Sequence, residues 1–446
     1  MTRISFRIAL LELLLCSCSL AASPADAPAP KIVVYLGATL IGGSSADARP
    51  NMAIVTRGER ISAVLPASDF HAEPGQEIVN VHDRYVVPGL VNTHVHLATL
   101  ADPPVAKAYL RRELYSGITT VRDMAGDVRL LSELKREADF DEIVSPDIYY
   151  VALMAGPEFF VDPRTHDAAR GRVAGQVPWM QAITPQTNLQ LAVAEARGTG
   201  ATAIKLYADL SPALVKSITE EAHRQQLLVW AHAAVFPALP NDVVDAGVDV
   251  ISHACLLGYQ ITSPPPLSYE DRRPVDVAKA LRPNEEMTVL LANIKRHGTI
   301  LDATLNVFDT DPPSKSCPGG IADYLAREAY QAGIPISAGT DDDPDWKKVD
   351  SVLDDEIALL VGKVGMTPAE ALRSATLIGA RALGLEKDIG TLEVGKLANL
   401  VVLRRNPLEN IANLRSVDFV VKHGMRYSRS NYQPATEKDF PPSKQP

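Results

Sequence analysis

Basic charge is in short supply. Lys and Arg number 44 against 54 Asp and Glu, leaving a formal net charge of −10 over 446 residues. A polyanion would meet a repulsive field, and no basic stretch offsets it, so nucleic acid is excluded as a partner. Long hydrophobic runs are absent too. No stretch of about 18 uncharged apolar residues occurs, so no membrane span is expected. Cysteine is scarce, with four in the chain. Cys16 and Cys18 sit near the start, and Cys255 and Cys317 do not make a disulfide framework; nothing in the sequence pairs them. What is present, 46% hydrophobic and 22% charged residues, excludes a disordered or fibrous chain.

The first 23 residues read as a secretory signal. Arg3 and Arg7 form a basic start, residues 8–15 an apolar core, and Ser19-Leu20-Ala21 a small-residue cleavage site, although Glu12 interrupts the core. Export to a bacterial periplasm is therefore expected. Leu15-Cys16-Ser17-Cys18 loosely resembles a lipoprotein box, which would offer Cys16 or Cys18 to a lipid anchor. Residues 24–30, rich in Ala and Pro, suit a flexible linker.

Short β-rich runs follow at 31–36, 52–57, 61–65 and 77–81, separated by glycine-bearing turns. Similar runs return at 399–404, 417–422 and 425–428. They predict a small β-sandwich built from both termini, residues 31–85 and 389–430, with a loose tail over 431–446. Between them, residues 86–388 alternate. Apolar runs at 86–91, 118–121, 148–152, 203–206, 227–231, 248–252, 299–305 and 334–338 are interleaved with helical periodicity, as at 212–223, 285–295, 321–332 and 349–361. Eight strand-and-helix pairs are the arithmetic of a (β/α)8 TIM barrel, an α/β fold. A doubly wound sheet is the rival, but no Gly-rich phosphate loop follows any strand.

The strand ends carry the chemistry. His94 and His96 lie at i and i+2, so in a strand both imidazoles project to one face. Imidazole is a common ligand for zinc and similar metals. An HxH alone is weak evidence, but Lys205 ends the fourth strand, His232 the fifth, His253 the sixth and Asp341 the eighth. Singly these would be a surface Lys, hydrogen-bonded core His residues and a helix-capping Asp. Together they place ligand-type side chains from five strands on the C-terminal face, where barrel enzymes keep their active sites.

On these residues the chain resembles the amidohydrolase superfamily, and within it metal-dependent hydrolases similar to imidazolonepropionase and the Xaa-Pro dipeptidase-like amidohydrolases. The resemblance covers residues 31–428. It rests on Pro88-Gly89-Leu90-Val91-Asn92-Thr93-His94-Val95-His96, on Gly117-Ile118-Thr119-Thr120-Val121-Arg122-Asp123, on residues 200–205 and 246–253, on Gly339-Thr340-Asp341, and on residues 390–401. The family pattern, carried over, makes His94, His96 and Asp341 ligands of one divalent metal ion, and His232 and His253 ligands of a second, with zinc expected at both. Lys205, carbamylated by carbon dioxide, would bridge the two together with a hydroxide, and Asp341 would pass the proton to the leaving nitrogen. Lys205 also sets the chain apart from imidazolonepropionase-type sites, which look mononuclear and lack it. Asn92 and Asn399 depart from family Asp positions, and neither is a ligand in the pattern.

The resemblance implies a dinuclear amidohydrolase, exported on the reading of its leader, acting on a small molecule with an amide C–N bond, such as a dipeptide or an N-acyl amino acid. A cyclic-amide, lactone or ester hydrolase on the same site, or a non-catalytic periplasmic binding protein, are the alternatives, and a homo-oligomer is compatible with all three. Residues 154–180, after the third strand, are expected near the mouth, with Arg164 and His166 as substrate contacts. Tyr207 reads as a packing residue, and residues 306–320 as a second lid.

Overall fold

Gly89 is where the chain passes from one sheet to another. The expected strand over 86–91 divides there: Tyr85–Pro88 pairs antiparallel with Leu400–Leu403, whereas Leu90–Val95 enters a parallel barrel. A Cβ at Gly89 would collide with the Thr119 side chain, so only glycine allows this crossing. The computed structural model describes residues 30–42, 48–309 and 315–440. The expected leader with Cys16 and Cys18, and all of the linker but Pro30, lie outside the described residues.

The barrel strands are Leu90–Val95, Ile118–Asp123, Asp147–Ala155, Ala203–Leu206, Leu228–His232, Val250–Ser252, Ile300–Asp302 and Ile336–Ser337. Each pairs in parallel with the next. The ring is closed by Thr93 N–H donating to Ala338 O at 3.2 Å and by a bridge between Val95 and Asp342. The strands read as continuous apolar runs because helices cover them outside and side chains fill them inside. The last two are shorter than expected. After Asp302 the backbone turns sharply, with Thr304 at φ 48°, and the eighth strand ends just before Gly339.

Helices form where caps and periodicity agree. Pro212–Arg224 starts with Pro in its first turn and with Ser211 accepting from Leu214 N–H at 3.3 Å. Glu285–His297 is capped by Asn284 and ends at Gly298, φ 70°, with Lys295, Arg296 and His297 in its last turn. The helix expected over 349–361 begins late, at Leu353. Ser351 Oγ accepts from Leu353 N–H at 3.1 Å and donates to buried Glu113 at 2.6 Å, which defines the start.

Strands Ile32–Leu40, Arg49–Arg57, Arg60–Pro66, Gln76–Asn80 and Tyr85–Pro88 join Leu400–Leu403, Val417–Lys422 and Met425–Ser428 in a second, mostly antiparallel sheet from both termini. It has its own core, including Val33, Tyr35, Leu40, Ile54, Val86, Leu400 and Phe419. The tail, expected to be loose from residue 431, is anchored as far as Phe440, whose ring lies 4.8 Å from that of Trp346.

Cys255 and Cys317, which nothing in the sequence paired, form a disulfide with Cα atoms 6.0 Å apart. Their 62-residue separation hid the pairing: Cys255 follows the sixth strand, and Cys317 precedes helix Ile321–Gln331, which packs on the same turn. Closing a loop of this size contributes about 3–5 kcal/mol in the chain-entropy view.

The terminal sheet docks on the barrel through Asp147, at the start of the third barrel strand. Lys422 Nζ lies 3.1 Å from its Oδ1, and His423 Nε2 2.9 Å from its Oδ2. Burial would raise the Asp147 carboxyl, but the His423 hydrogen bond and the Lys422 charge outweigh it and hold it below the ordinary range. The same hydrogen bond lifts the His423 imidazole above its usual 6.5. The contribution of His423 is thus complete below the ordinary histidine value and drains away as pH climbs through its raised one. That of Asp147 is complete above the ordinary carboxylate value and is lost as pH falls through its lowered one. Asp147→Asn is expected to destabilise the protein by about 2–4 kcal/mol, because it leaves buried Lys422 unpaired. In denaturant unfolding, the gap to wild type should narrow as pH climbs from the ordinary histidine value through the raised one of His423.

Candidate metal centre

His94 and His96, on one face of the first barrel strand, both meet Asp341 from the turn after the eighth. His94 Nε2 lies 3.1 Å and His96 Nε2 2.9 Å from Asp341 Oδ1. One ligand atom from each of the three falls within 4.8 Å of the others. The sixth strand delivers His253, its ring 5.2 Å from that of His94 and 4.7 Å from that of His232. Lys205 is fully buried and donates to Ser252 Oγ at 3.2 Å. Five of the six expected ligands, all but Lys205, line one cavity of about 290 Å³ at the C-terminal mouth of the barrel.

Two of these residues have unusual backbones. His253 sits at φ 74° and Asp341 at φ 54°. A left-handed conformation is costly for histidine and is retained where surroundings enforce it, most often at functional sites. Thr304, itself at φ 48°, holds the His253 ring through a 2.8 Å contact between its Oγ1 and Nδ1.

Burial sets the protonation states. It pushes the His253 imidazole down to about 3, and it pushes His232 well below 6.5, helped by the charges of Lys205 and His253. Burial also brings the Lys205 ammonium down to about 8, against the pull of Asp302 and Asp341. Asp341 is held well below the carboxylate range because His94 and His253 outweigh its burial. His232 and His253 are thereby left as imidazole lone pairs near the anionic Asp341 carboxylate, and Lys205 is brought toward neutrality, whereas at His96 burial is outweighed by the hydrogen bond and charge of Asp341, which raise the imidazole. Such a nitrogen and oxygen donor set fits divalent zinc-like ions.

One residue essential to this arrangement escaped the sequence reading. Asp302, the last residue of the seventh strand, lies with Oδ2 2.7 Å from His94 Nδ1, and both side chains are buried. The contact assigns the proton to Nδ1 and leaves the Nε2 lone pair aimed at the ligand cluster. Burial would raise Asp302, but the His94 hydrogen bond overcomes it and keeps the carboxylate ionised. The strand-end rule that picked out Lys205 and His232 applies equally to Ile300-Leu301-Asp302. Gly339 makes the approach feasible, since a Cβ there would run into both Asp302 and His94.

The two residues expected from the segment after the third strand part company. Arg164 lines the cavity, fixed by Asp162 at 2.7 Å and lying 6.0 Å over the Tyr207 ring. His166 is exposed and does not line it. Both lie on the short helix Pro163–Ala168, where residues two apart face opposite ways, so one of them had to point outward. Tyr207 is more than packing: its ring centroid lies 4.1 Å from that of His232, the planes tilted by 52°, and it lines the cavity. Val307, Phe308 and Ser316 also line the cavity. Asn92 donates to Thr340 Oγ1 at 3.0 Å and accepts from His94 N–H at 3.3 Å, bracing the backbone of the first and eighth strand ends, whereas Asn399 accepts from His423 N–H at 2.8 Å in the terminal sheet.

The amidohydrolase family model matches residues 85–427. The chain is 23% identical over 383 residues to imidazolonepropionase of Hyphomonas neptunium, covering 78% of this chain and 86% of that protein. It is 25% identical over 441 residues to ochratoxinase of Aspergillus niger, covering 85% and 83%. The crystal structure of that ochratoxinase superposes with a TM-score of 0.70 over 93% of this chain and 99% of the other. A Xaa-Pro dipeptidase with bound methionine in the active site gives a TM-score of 0.69 at 21% identity, covering 89% of this chain and 100% of that one. Several other curated relatives match over 28% of their own length or less.

Asp302→Asn keeps the shape of the carboxylate but removes its charge. Metal affinity, measured by competition with a chelator, is expected to fall about 10–100-fold, with the circular dichroism spectrum unchanged.

Proposed function

This chain belongs to the amidohydrolase family, and from that premise we propose that it is an exported, dinuclear metal hydrolase cleaving the amide C–N bond of a dipeptide or N-acyl amino acid. The observation that carries this reading is the convergence of His94, His96, His232, His253 and Asp341 from four barrel strands on one cavity, with Lys205 of a fifth strand buried and bonded to Ser252, next to His253. His94, His96 and Asp341 would hold one ion and His232 and His253 the other, with zinc the best match to the donors. Lys205 as a carbamate would bridge them. Its buried amine, lowered to about 8, has the neutral fraction that reaction with carbon dioxide requires. The two ions, when bound, supply an activated water and polarise the carbonyl to be attacked.

The remaining work falls to the chain. Asp341, an anion 2.9–3.1 Å from two imidazoles, is placed to accept the proton of the attacking water on a carboxylate oxygen and deliver it to the leaving nitrogen. The Tyr207 ring, packed against His232, fixes that imidazole and forms one wall for substrate. Arg164, immobilised by Asp162, offers a cation at the mouth. Export is supported by the Cys255–Cys317 disulfide, which persists in oxidising compartments.

Protein purified with bicarbonate is expected to carry about two metal ions per chain and to turn over members of a dipeptide and N-acyl amino acid panel. Lys205→Ala should retain about one ion and lose at least about 100-fold in activity. Wild-type protein with no bound metal would overturn the metal-hydrolase reading, and full metal content with full turnover in Lys205→Ala would overturn the bridging lysine. Tight ligand binding that survives Lys205→Ala, without turnover in either protein, would point instead to a binding protein.

A further inference from the structure

Beyond the metal ligands, the cavity is built from rings and guanidinium groups. Phe159, Tyr207 and Tyr269 pack with ring centroids 4.5, 5.6 and 5.7 Å apart, and Tyr207 leans on His232. This aromatic wall therefore runs from a metal ligand out to the mouth. Two arginines lie against it. Arg164 is already neutralised by Asp162, and its Nη2 reaches Tyr269 Oη at 3.5 Å. Arg272 differs. Its guanidinium lies 4.3 Å over the Tyr269 ring and lines the cavity, and among the described residues it has no carboxylate or hydrogen-bond partner.

An arginine with no counter-charge among the described residues is notable in a chain whose acidic residues outnumber its basic ones. Stacking on Tyr269 limits the motion of the side chain while leaving the edge of the guanidinium fork, which matches a carboxylate, uncommitted. The other charges in the cavity are disposed to match. Asp341 is engaged by His94 and His96 on the floor, and the charge of Asp343 is felt by His96. The negative side chains thus lie toward the first strand, and the unpaired positive one lies on the segment after the sixth.

A smaller cavity of about 40 Å³ shares His96, Thr99, Arg164 and Tyr207 with the main one and is otherwise lined mostly by apolar groups such as Met124, Leu153 and Met180. A ligand filling both spaces would place an apolar group there and an anionic group away from it.

We propose that Arg272 is a specificity-determining residue that pairs with a free carboxylate of the substrate, restricting the site to amides that bear an anionic end. This rests on the hydrolase reading for the identity of the substrate, but the contact itself is one of binding and can be read without turnover. Arg272 does not touch the reacting atoms in this assignment. It acts by holding the far end of the molecule, so its loss should appear in affinity and KM rather than in kcat.

The test uses metal-loaded full-length protein and paired probes: the N-acetyl derivatives of alanine, proline, leucine and phenylalanine, each as the free acid and as its carboxamide. Calorimetric titration of wild type is expected to show at least one acid binding about 10–100-fold more tightly than its amide. Arg272→Met, which keeps the aliphatic stem over Tyr269, should remove that difference, and Arg272→Lys should restore part of it. Where the acid is hydrolysed, KM should rise by a similar factor in Arg272→Met with kcat within about threefold of wild type. Acid and amide binding alike, a preference that survives Arg272→Met, or no acid binding at all would each overturn the proposal. Absence of turnover with the binding preference intact would count against the hydrolase reading while leaving the role of Arg272 in place.

Discussion

Asp302 and His94 are buried together, and neither could be buried alone. An unpaired carboxylate in so dry a place would take up a proton, and an unpaired imidazole would be free to turn. At 2.7 Å each satisfies the other, while the second oxygen of Asp302 accepts from Thr93 Oγ1 at 2.8 Å. The pair joins the seventh strand to the first across the eighth, where Gly339 has no side chain to obstruct it. Barrel closure and the orientation of the first ligand are therefore one contact. What would otherwise be a mobile imidazole becomes a fixed lone pair, and Asp341, His96 and His253 are arranged around it.

The strain at His253 and Asp341 belongs to the same design. Both residues follow their strands with positive φ, and both side chains line the cavity. Local preference would not hold a histidine at φ 74°; the Thr304 hydroxyl on Nδ1 and the flanking buried backbone do. Burial then does chemical work as well as structural work. It keeps His232 and His253 neutral and brings Lys205 toward neutrality, so the donor set is prepared for cations before any arrive.

How much of this could be read from the sequence follows from which features are local. The alternation of apolar runs and helical periods is local, and it revealed the eight barrel strands. A metal-compatible side chain at the end of a strand is nearly local, and the candidates His94, His96, Lys205, His232, His253 and Asp341 were legible for that reason. Asp302 obeyed the same rule but has no partner near it in sequence; its meaning depends on His94, 208 positions away. The division of residues 86–91 at Gly89 was invisible because both halves are equally apolar, and only the Leu400–Leu403 strand draws the first half aside. The disulfide, the opposite faces of Arg164 and His166, and the contact of Tyr207 with His232 are all products of packing between distant segments or of a helix only six residues long.

The two ends of the barrel are held by different physics. At the N-terminal end, Asp147 carries the charges of Lys422 and His423, binding the terminal sheet where no ligand residue lies. Arg122 fills the interior, fully buried and 5.2 Å over the Trp230 ring, its guanidinium brought down to about 9 by burial. The C-terminal end keeps its polar groups turned toward a cavity. Loops there can change without loosening the terminal sheet, because no contact of the Asp147 cluster involves them. The chain can thus place side chains such as Arg164, Val307 and Phe308 around the mouth while Asp147 holds Lys422 and His423 at the other end. That separation lets one set of strand-end ligands serve whatever substrate the surrounding side chains select.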